Sequence, residues 1–201
     1  MPLRRIIKKL VQYVSLVLVF PIAAVCAFGK IDALYISFAQ LFALFPGPVG
    51  AFLRSAFYKY TLRNCSMDTS IAFGSFFSSP HASVGENVSI GSFCVVGRAR
   101  IGPRTQIASH VEIPSGRHQH SRNEQGRFRD CQYREVEIGA DCWIGAAAVI
   151  MADIGEGSTI GAGSVVINCI PAQVVAAGVP AKPLRVKGCR DLEPADTGET
   201  R

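Results

Sequence analysis

The chain has 201 residues, with 21 Lys and Arg against 15 Asp and Glu, a length for one ordinary domain plus an accessory element. Its net charge of +6 admits nucleic acid, a membrane surface or anionic small molecules as partners, but no helix-turn-helix, RNA-binding or zinc-finger pattern occurs, which argues against nucleic acid. The seven cysteines (Cys26, Cys65, Cys94, Cys131, Cys142, Cys169 and Cys189) are odd in number and form no CxxC pair, so they read as reduced thiols of a cytosolic domain, not a disulfide framework.

The first nine residues carry Arg4, Arg5, Lys8 and Lys9, and Leu10 to Phe28 then holds no charged residue. About twenty apolar residues suffice for a helix to cross a bilayer, and Pro21 is placed to kink it. A second apolar run, Ile31 to Phe45, carries only Asp32 and ends at Pro46-Gly47-Pro48. From Val49 to Tyr60, aromatics (Phe52, Phe57, Tyr58, Tyr60) mix with Arg54 and Lys59, a composition suited to the membrane interface. Residues 1–64 are therefore expected to form a hydrophobic α-helical hairpin. Cations flank it on both sides, which puts both ends on one face of the membrane, as a re-entrant or two-pass element. A cleavable signal peptide fits less well, because the second run would remain. A helical hairpin buried against the rest of the protein is the alternative.

From about Cys65 a different rule takes over. Ile71, Phe73 and Phe77 are expected to cap the end of a core, in a first irregular coil. A branched aliphatic residue beside Gly or another small residue then recurs at Val84, Ile90, Val96, Ile101, Ile107 and Ile113, and again at Ile138, Ile144, Ile150, Ile154 and Ile160. The step is six, with a five at Val96 to Ile101 and a four at Ile150 to Ile154. Neither a helix nor a two-sided strand has this period. Six residues per face and three faces per turn give a prism of parallel strands, each face sending one aliphatic residue inward and the Gly beside it turning the corner with unusual backbone angles. Between the repeats, residues 116–135 hold His118, His120 and five Arg and almost nothing aliphatic, so they are expected to leave the prism as a loop. Residues 65–187 thus make up the prism, and 188–201 a polar, disordered tail.

The run WIGAAAVI, IGAGSVV and IPAQVVAAGVPAKPLR resembles the C-terminal signature of the hexapeptide-repeat acyltransferases, and the likeness extends over about Ile71 to Val186. It implies a mainly β fold, a left-handed parallel β-helix, here preceded by the hydrophobic α-helical hairpin. It also implies a homotrimer with acetyl-CoA in the groove between adjacent prisms, no metal, and a His base on the projecting loop. Ala146 departs from the pattern, where the family often has a larger polar residue, and so do Ile167 and Asn168, where Thr-Lys is common. The N-terminal 60 residues are similar to those of a membrane-associated subgroup acting in surface-polysaccharide assembly. That implies a saccharide or lipid-linked saccharide acceptor, membrane lipid as a partner, and the cytoplasmic face of a bacterial inner membrane.

Acyl transfer to a hydroxyl needs a base, an oxyanion stabiliser and a dry groove. His118 and His120 are the candidate bases, with His120 slightly preferred; His81 and His110 fall on repeat positions where structural roles are common. Glu112, Glu124 or Asp141 is available to orient the base. By resemblance, Gly145, Ala146, Ala162 and Gly163 match the turns that contact pantetheine, and Trp143 sits at the groove edge. Lys182 and Arg185 are placed for nucleotide phosphates, and Arg117, Arg122, Arg127 and Arg129 for an anionic acceptor or for solvent. Two other readings fit a prism: a γ-carbonic-anhydrase-like hydratase, using His81, His118 and His120 on a metal, and a non-catalytic trimeric scaffold.

Overall fold

The structure, a computed structural model, describes residues 2–116, 125 and 133–186. The candidate bases His118 and His120, with Arg117, Arg122, Glu124, Arg127 and Arg129, lie outside the described residues, as does the C-terminal tail.

The six-residue period builds three sheets of four, seven and five strands, wound as successive coils and parallel except for the last strand of the seven. Inward columns stack within each sheet: Cys65, Val84, Ile101, Ile138, Ile154 and Ile170 on the first face. Ile71, Ile90, Ile107, Ile144, Ile160 and Ala176 follow on the second, and Phe77, Val96, Ile113, Ile150 and Val166 on the third. Every one of these side chains is buried, and full burial of an Ile or Val contributes roughly 1.5–3 kcal/mol. The residue two before most column positions is buried as well, and at several of them it is a Thr, Ser or Cys, among them Thr69, Ser75, Cys94, Thr105, Cys142 and Ser158. Its side chain bonds to the next coil. Thr105 Oγ1 donates to the Gly139 carbonyl (2.8 Å) and accepts the Cys142 amide (3.2 Å); Cys94 and Cys142 direct their thiols at the Ala108 and Gly155 carbonyls. The five described cysteines are free, all but Cys169 buried.

The glycine that follows the aliphatic residue does not supply the unusual angles expected of it. Positive φ falls two residues later, on Asn87, Phe93, Arg104, His110, Asp141, Ala147, Gly157 and Gly163. The glycine is there because the next coil is too close. A Cβ on Gly102 would lie 2.4 Å from the Ala140 amide nitrogen, and one on Gly145 2.5 Å from that of Ala162.

The N-terminal stretch forms three helices: α1 (Pro2–Val25), α2 (Asp32–Ala43) and α3 (Gly47–Thr61). α1 continues past Pro21, and both α1 and α2 pack on α3. The segment expected at a membrane interface is thus the middle of the helical layer. It covers the first coil, with Tyr35, Phe57, Tyr58, Ile71 and Phe77 in one buried cluster. Arg54, itself buried, ties the layer together by donating to the carbonyls of Phe42 and Phe45 at the end of α2 and of Ile71 in the first coil. Four backbone carbonyls, not a carboxylate, satisfy its charge, and burial lowers its pKa.

Candidate functional site

The corner from the second to the third face gathers four residues expected to meet the cofactor. Gly145 and Ala146 stand on one coil and Ala162 and Gly163 on the next, with the Gly163 amide donating to the Ala146 carbonyl (2.8 Å). The amides of Gly145 and Ala147 are taken up likewise, by the Ile160 and Ser109 carbonyls. Ala146 and Ala162 are the exposed tips of these turns, and no such coil-to-coil bond uses their N–H groups. Nothing lies within 4 Å of where a Gly163 Cβ would be, so the edge is open to a slender chain.

Trp143, Thr159 and Val175 follow one another in register on the outer surface of the second face, because their neighbours Ile144, Ile160 and Ala176 point inward. The closing strand Ala181–Val186 runs antiparallel to Val174–Gly178 and sets Arg185 opposite Val175 and Lys182 opposite Ala177. Directly paired residues share a face, so both cations extend the row that starts at Trp143, itself 54% exposed. All seven cofactor candidates therefore share one face and its edge. That clustering was not evident from positions spread over 40 residues of sequence.

The third-to-first corner differs. Here a cavity of about 580 Å³ is lined by Asp32 and Tyr35 of α2, by His81, and by Arg98, Glu112 and Tyr133. It sits at the base of the segment that carries His118 and His120: Ser115 marks the exit and Tyr133 the return. That base is tightly fastened. The Arg134 amide donates to the Ser115 carbonyl (2.9 Å), the Ser115 hydroxyl accepts the Arg98 amide (2.8 Å), and Arg134 pairs with Asp153. Glu135 receives both Arg63 (2.8 Å) and Arg100 (2.9 Å). Sequence reasoning missed this cavity, because Asp32 comes from a segment read as membrane and His81 falls on a repeat position read as structural. The one available signal was that Glu112 and Ser115 adjoin the interruption.

The other titratable candidates separate cleanly. Asp141 is paired with Arg104, whose hydrogen bonds hold its carboxyl below the usual range, so it is committed at a corner away from the cavity. His110 occupies a left-handed corner and stacks on Phe93 (5.4 Å between centroids). Among the described residues no cluster of His, Cys, Asp and Glu is arranged to hold a metal.

No protein-family model matches the chain. It is 38% identical over 95 residues to the galactoside O-acetyltransferase of Escherichia coli K12, spanning 45% of either chain. It is 34% identical over 119 residues to WbbJ of the same organism, a protein named for O-acetyl transfer in lipopolysaccharide biosynthesis (54% of this chain, 59% of that one). The chain is related to the hexapeptide-repeat O-acetyltransferases. These matches span about half the length of each relative. The fold is shared more widely: a maltose O-acetyltransferase from Clostridium difficile 630 superposes with a TM-score of 0.67 at 23% identity, over 80% of this chain and 88% of that one.

Proposed function

We propose that the protein transfers an acetyl group from acetyl-CoA to a hydroxyl of a saccharide, and that it works as a homotrimer at a membrane. The observation that carries the reading is the likeness to a galactoside and a lipopolysaccharide O-acetyltransferase, in a chain whose prism supports an open Ala/Gly edge. Acetyl-CoA supplies an activated thioester. Trp143, Ala146, Ala162 and Gly163 are assigned to its pantetheine arm, with Gly145 keeping the adjacent coils in contact. Lys182 and Arg185 are assigned to its phosphates, since both are exposed cations on the same face. The amides of Ala146 and Ala162 are the oxyanion donors, because those of Gly145 and Gly163 are already bonded between coils.

The acceptor is assigned to the cavity bearing Asp32, His81 and Glu112, polar groups that suit the hydroxyls of a sugar. His120 or His118 removes the proton from the acceptor hydroxyl as its oxygen attacks the thioester carbonyl. The same imidazolium then returns that proton to the departing thiolate. In one prism the cavity and the Ala/Gly edge lie on opposite sides of the third face, which supports a site shared between neighbouring prisms. The apolar exposed surface of α1 supports membrane association, and with it a lipid-linked or nascent surface saccharide on the cytoplasmic side.

Replacing both His118 and His120 by Ala is expected to lower transfer by a factor of roughly 10²–10⁴, and wild-type rates in the double variant would end the His-base mechanism. Mass spectrometry of surface glycans and lipid-linked precursors, from cells with and without the protein, should find one species lighter by a single acetyl. No such difference would remove the saccharide acceptor.

A further inference from the structure

The helical layer and the prism differ in charge. Residues 1–64 hold eight Lys and Arg against the single acid Asp32, a net of +7, whereas the remaining residues hold thirteen against fourteen. The excess cation of the whole protein therefore belongs to the segment that is also its most apolar. Within that segment α1 has two distinct sides. Ser15, Val19 and Ala23, with Cys26 just past the helix end, are buried toward the protein. On the opposite side Ile6, Leu10, Val14, Val17 and Val25 are 46–62% exposed, spaced as one helical face. Lys9, exposed, stands at the border of that apolar face, and Arg5, also exposed, lies one turn before it.

α1 is also tied down along its length. Lys8 pairs with Asp68 (3.0 Å) and the Gln12 amide donates to the Met67 carbonyl (2.7 Å), both at one corner of the first coil. Further along, Phe20 packs edge-on against Tyr60, and the turn that follows α1 places Gly29 against Thr61 and Pro80, at another corner of the same coil. A helix of about 36 Å fastened at two corners of one coil lies across the end of the prism. To cross a bilayer it would have to leave these contacts and uncover the core beneath.

We infer that α1 does not cross the membrane but lies flat on it, its exposed face sunk into the boundary between headgroups and acyl chains of an anionic bilayer, with the prism standing end-on above. Such a helix binds by its buried apolar area together with attraction between its flanking cations and anionic lipid. The inference rests on the membrane association proposed above and replaces a two-pass or re-entrant hairpin with an in-plane anchor.

Depth-resolved quenching tests it on the full chain. In a Trp143→Phe background, Trp is placed singly at Ile6, Val14 and Val25, and the protein is mixed with phosphatidylglycerol/phosphatidylethanolamine vesicles containing lipids brominated at different depths. An in-plane helix gives equal, shallow quenching at all three positions. Deep quenching at Val14 with shallow quenching at Ile6 and Val25 means a crossing helix, which overturns the inference and leaves membrane association standing. Absence of quenching and of flotation with vesicles overturns both. Vesicles of phosphatidylcholine alone should bind at least tenfold more weakly, and equal binding would remove the role of the cations. The triple variant Leu10→Glu, Val14→Glu, Val17→Glu should stay in solution with an unchanged thermal transition; flotation like wild type would show that this face is not the one used.

Discussion

Two of the prism's corners are constant and the third is not. From the first to the second face, and from the second to the third, every step between inward residues is six, from Cys65 to Ile71 at one end to Ile160 to Val166 at the other. From the third face back to the first, the steps are seven from Phe77 to Val84, five from Val96 to Ile101, and four from Ile150 to Ile154 and from Val166 to Ile170. Ile113 to Ile138, with the interruption between, lies at this same corner. The constant corners are held by glycines pressed against the backbone of the next coil, which fixes both length and residue type. At the variable corner the same position holds Ser78, Gly97, Pro114, Met151 and Ile167, of which only Gly97 is pressed on the next coil, against Ser115; this corner is where the cavity and the His-bearing segment occur. The prism holds geometry at two edges and leaves the third free for specificity.

The comparison breaks most completely if length is changed at a constant corner. One Ser inserted after Gly102 moves the following strand by one residue, turning Gln106 inward and Ile107 outward. Cooperative unfolding should be lost in that variant, by circular dichroism or calorimetry. A folded protein with a normal transition would mean that the corners do not set the register. At the variable corner a far larger change should be tolerated. Ser115 and Arg134 are already bonded, so replacing residues 117–132 by two glycines closes a gap that the structure has brought together. The melting temperature should move by only about 2–4 °C, since a loop-length change of this size is worth on the order of 1 kcal/mol. Acetyl transfer should fall by at least roughly 10²-fold with the base removed. Retained transfer would place the base elsewhere, with His81 of the cavity the first to test.

How much of this was readable beforehand follows the same division. Period, face count and inward columns were legible from the Ile-Gly spacing, because a buried aliphatic column leaves a strict trace. The irregular steps were legible as irregularities, but nothing in the sequence said that they share one edge; that requires counting faces from a fixed start. The role of the repeat glycines was misread, because close approach between coils and positive φ both select Gly, and only the backbone separates them. The buried position two residues before most of the inward aliphatics was missed, as it accepts Thr, Ser, Cys, Ala and Val alike. Cys94 and Cys142 belong to this set, more specific than the packing of small hydrophobes. The helical layer was read as a hairpin because α3, carrying Arg54, Lys59 and four aromatics, looks interfacial. The buried guanidinium is explained only by the α2 carbonyls that chain folding brings to it.

Two kinds of glycine sharpen the comparison further. Gly102→Ala puts a methyl group 2.4 Å from backbone that cannot move without shifting a whole coil, and the expected loss is about 3 kcal/mol. Gly163→Ala meets no atom within 4 Å and costs only the left-handed φ of +67°, about 1 kcal/mol. Denaturant midpoints at constant m-value measure both. Equal losses would mean that the coils are less closely stacked than described, and would remove the reason the two constant corners are constant.

The smallest effect lies where the helical layer meets the first coil. Hydrogen bonding and charge from Lys8 lower the Asp68 pKa in the folded protein. A carboxyl whose folded pKa is depressed adds stability above its unfolded pKa of about 4, and that stability is lost as the pH falls through the folded value. Both partners are more than half exposed, so the contribution is under about 1 kcal/mol and is screened by salt. Stability measured from pH 6 down to pH 3 should therefore fall slightly more in the wild type than in Lys8→Ala, with the gap closing at the acid end. If Lys8→Ala left the pH profile unchanged, the ion pair would not be holding α1 to the prism, and the restraint on that end would fall to the hydrogen bond from Gln12 to Met67 alone.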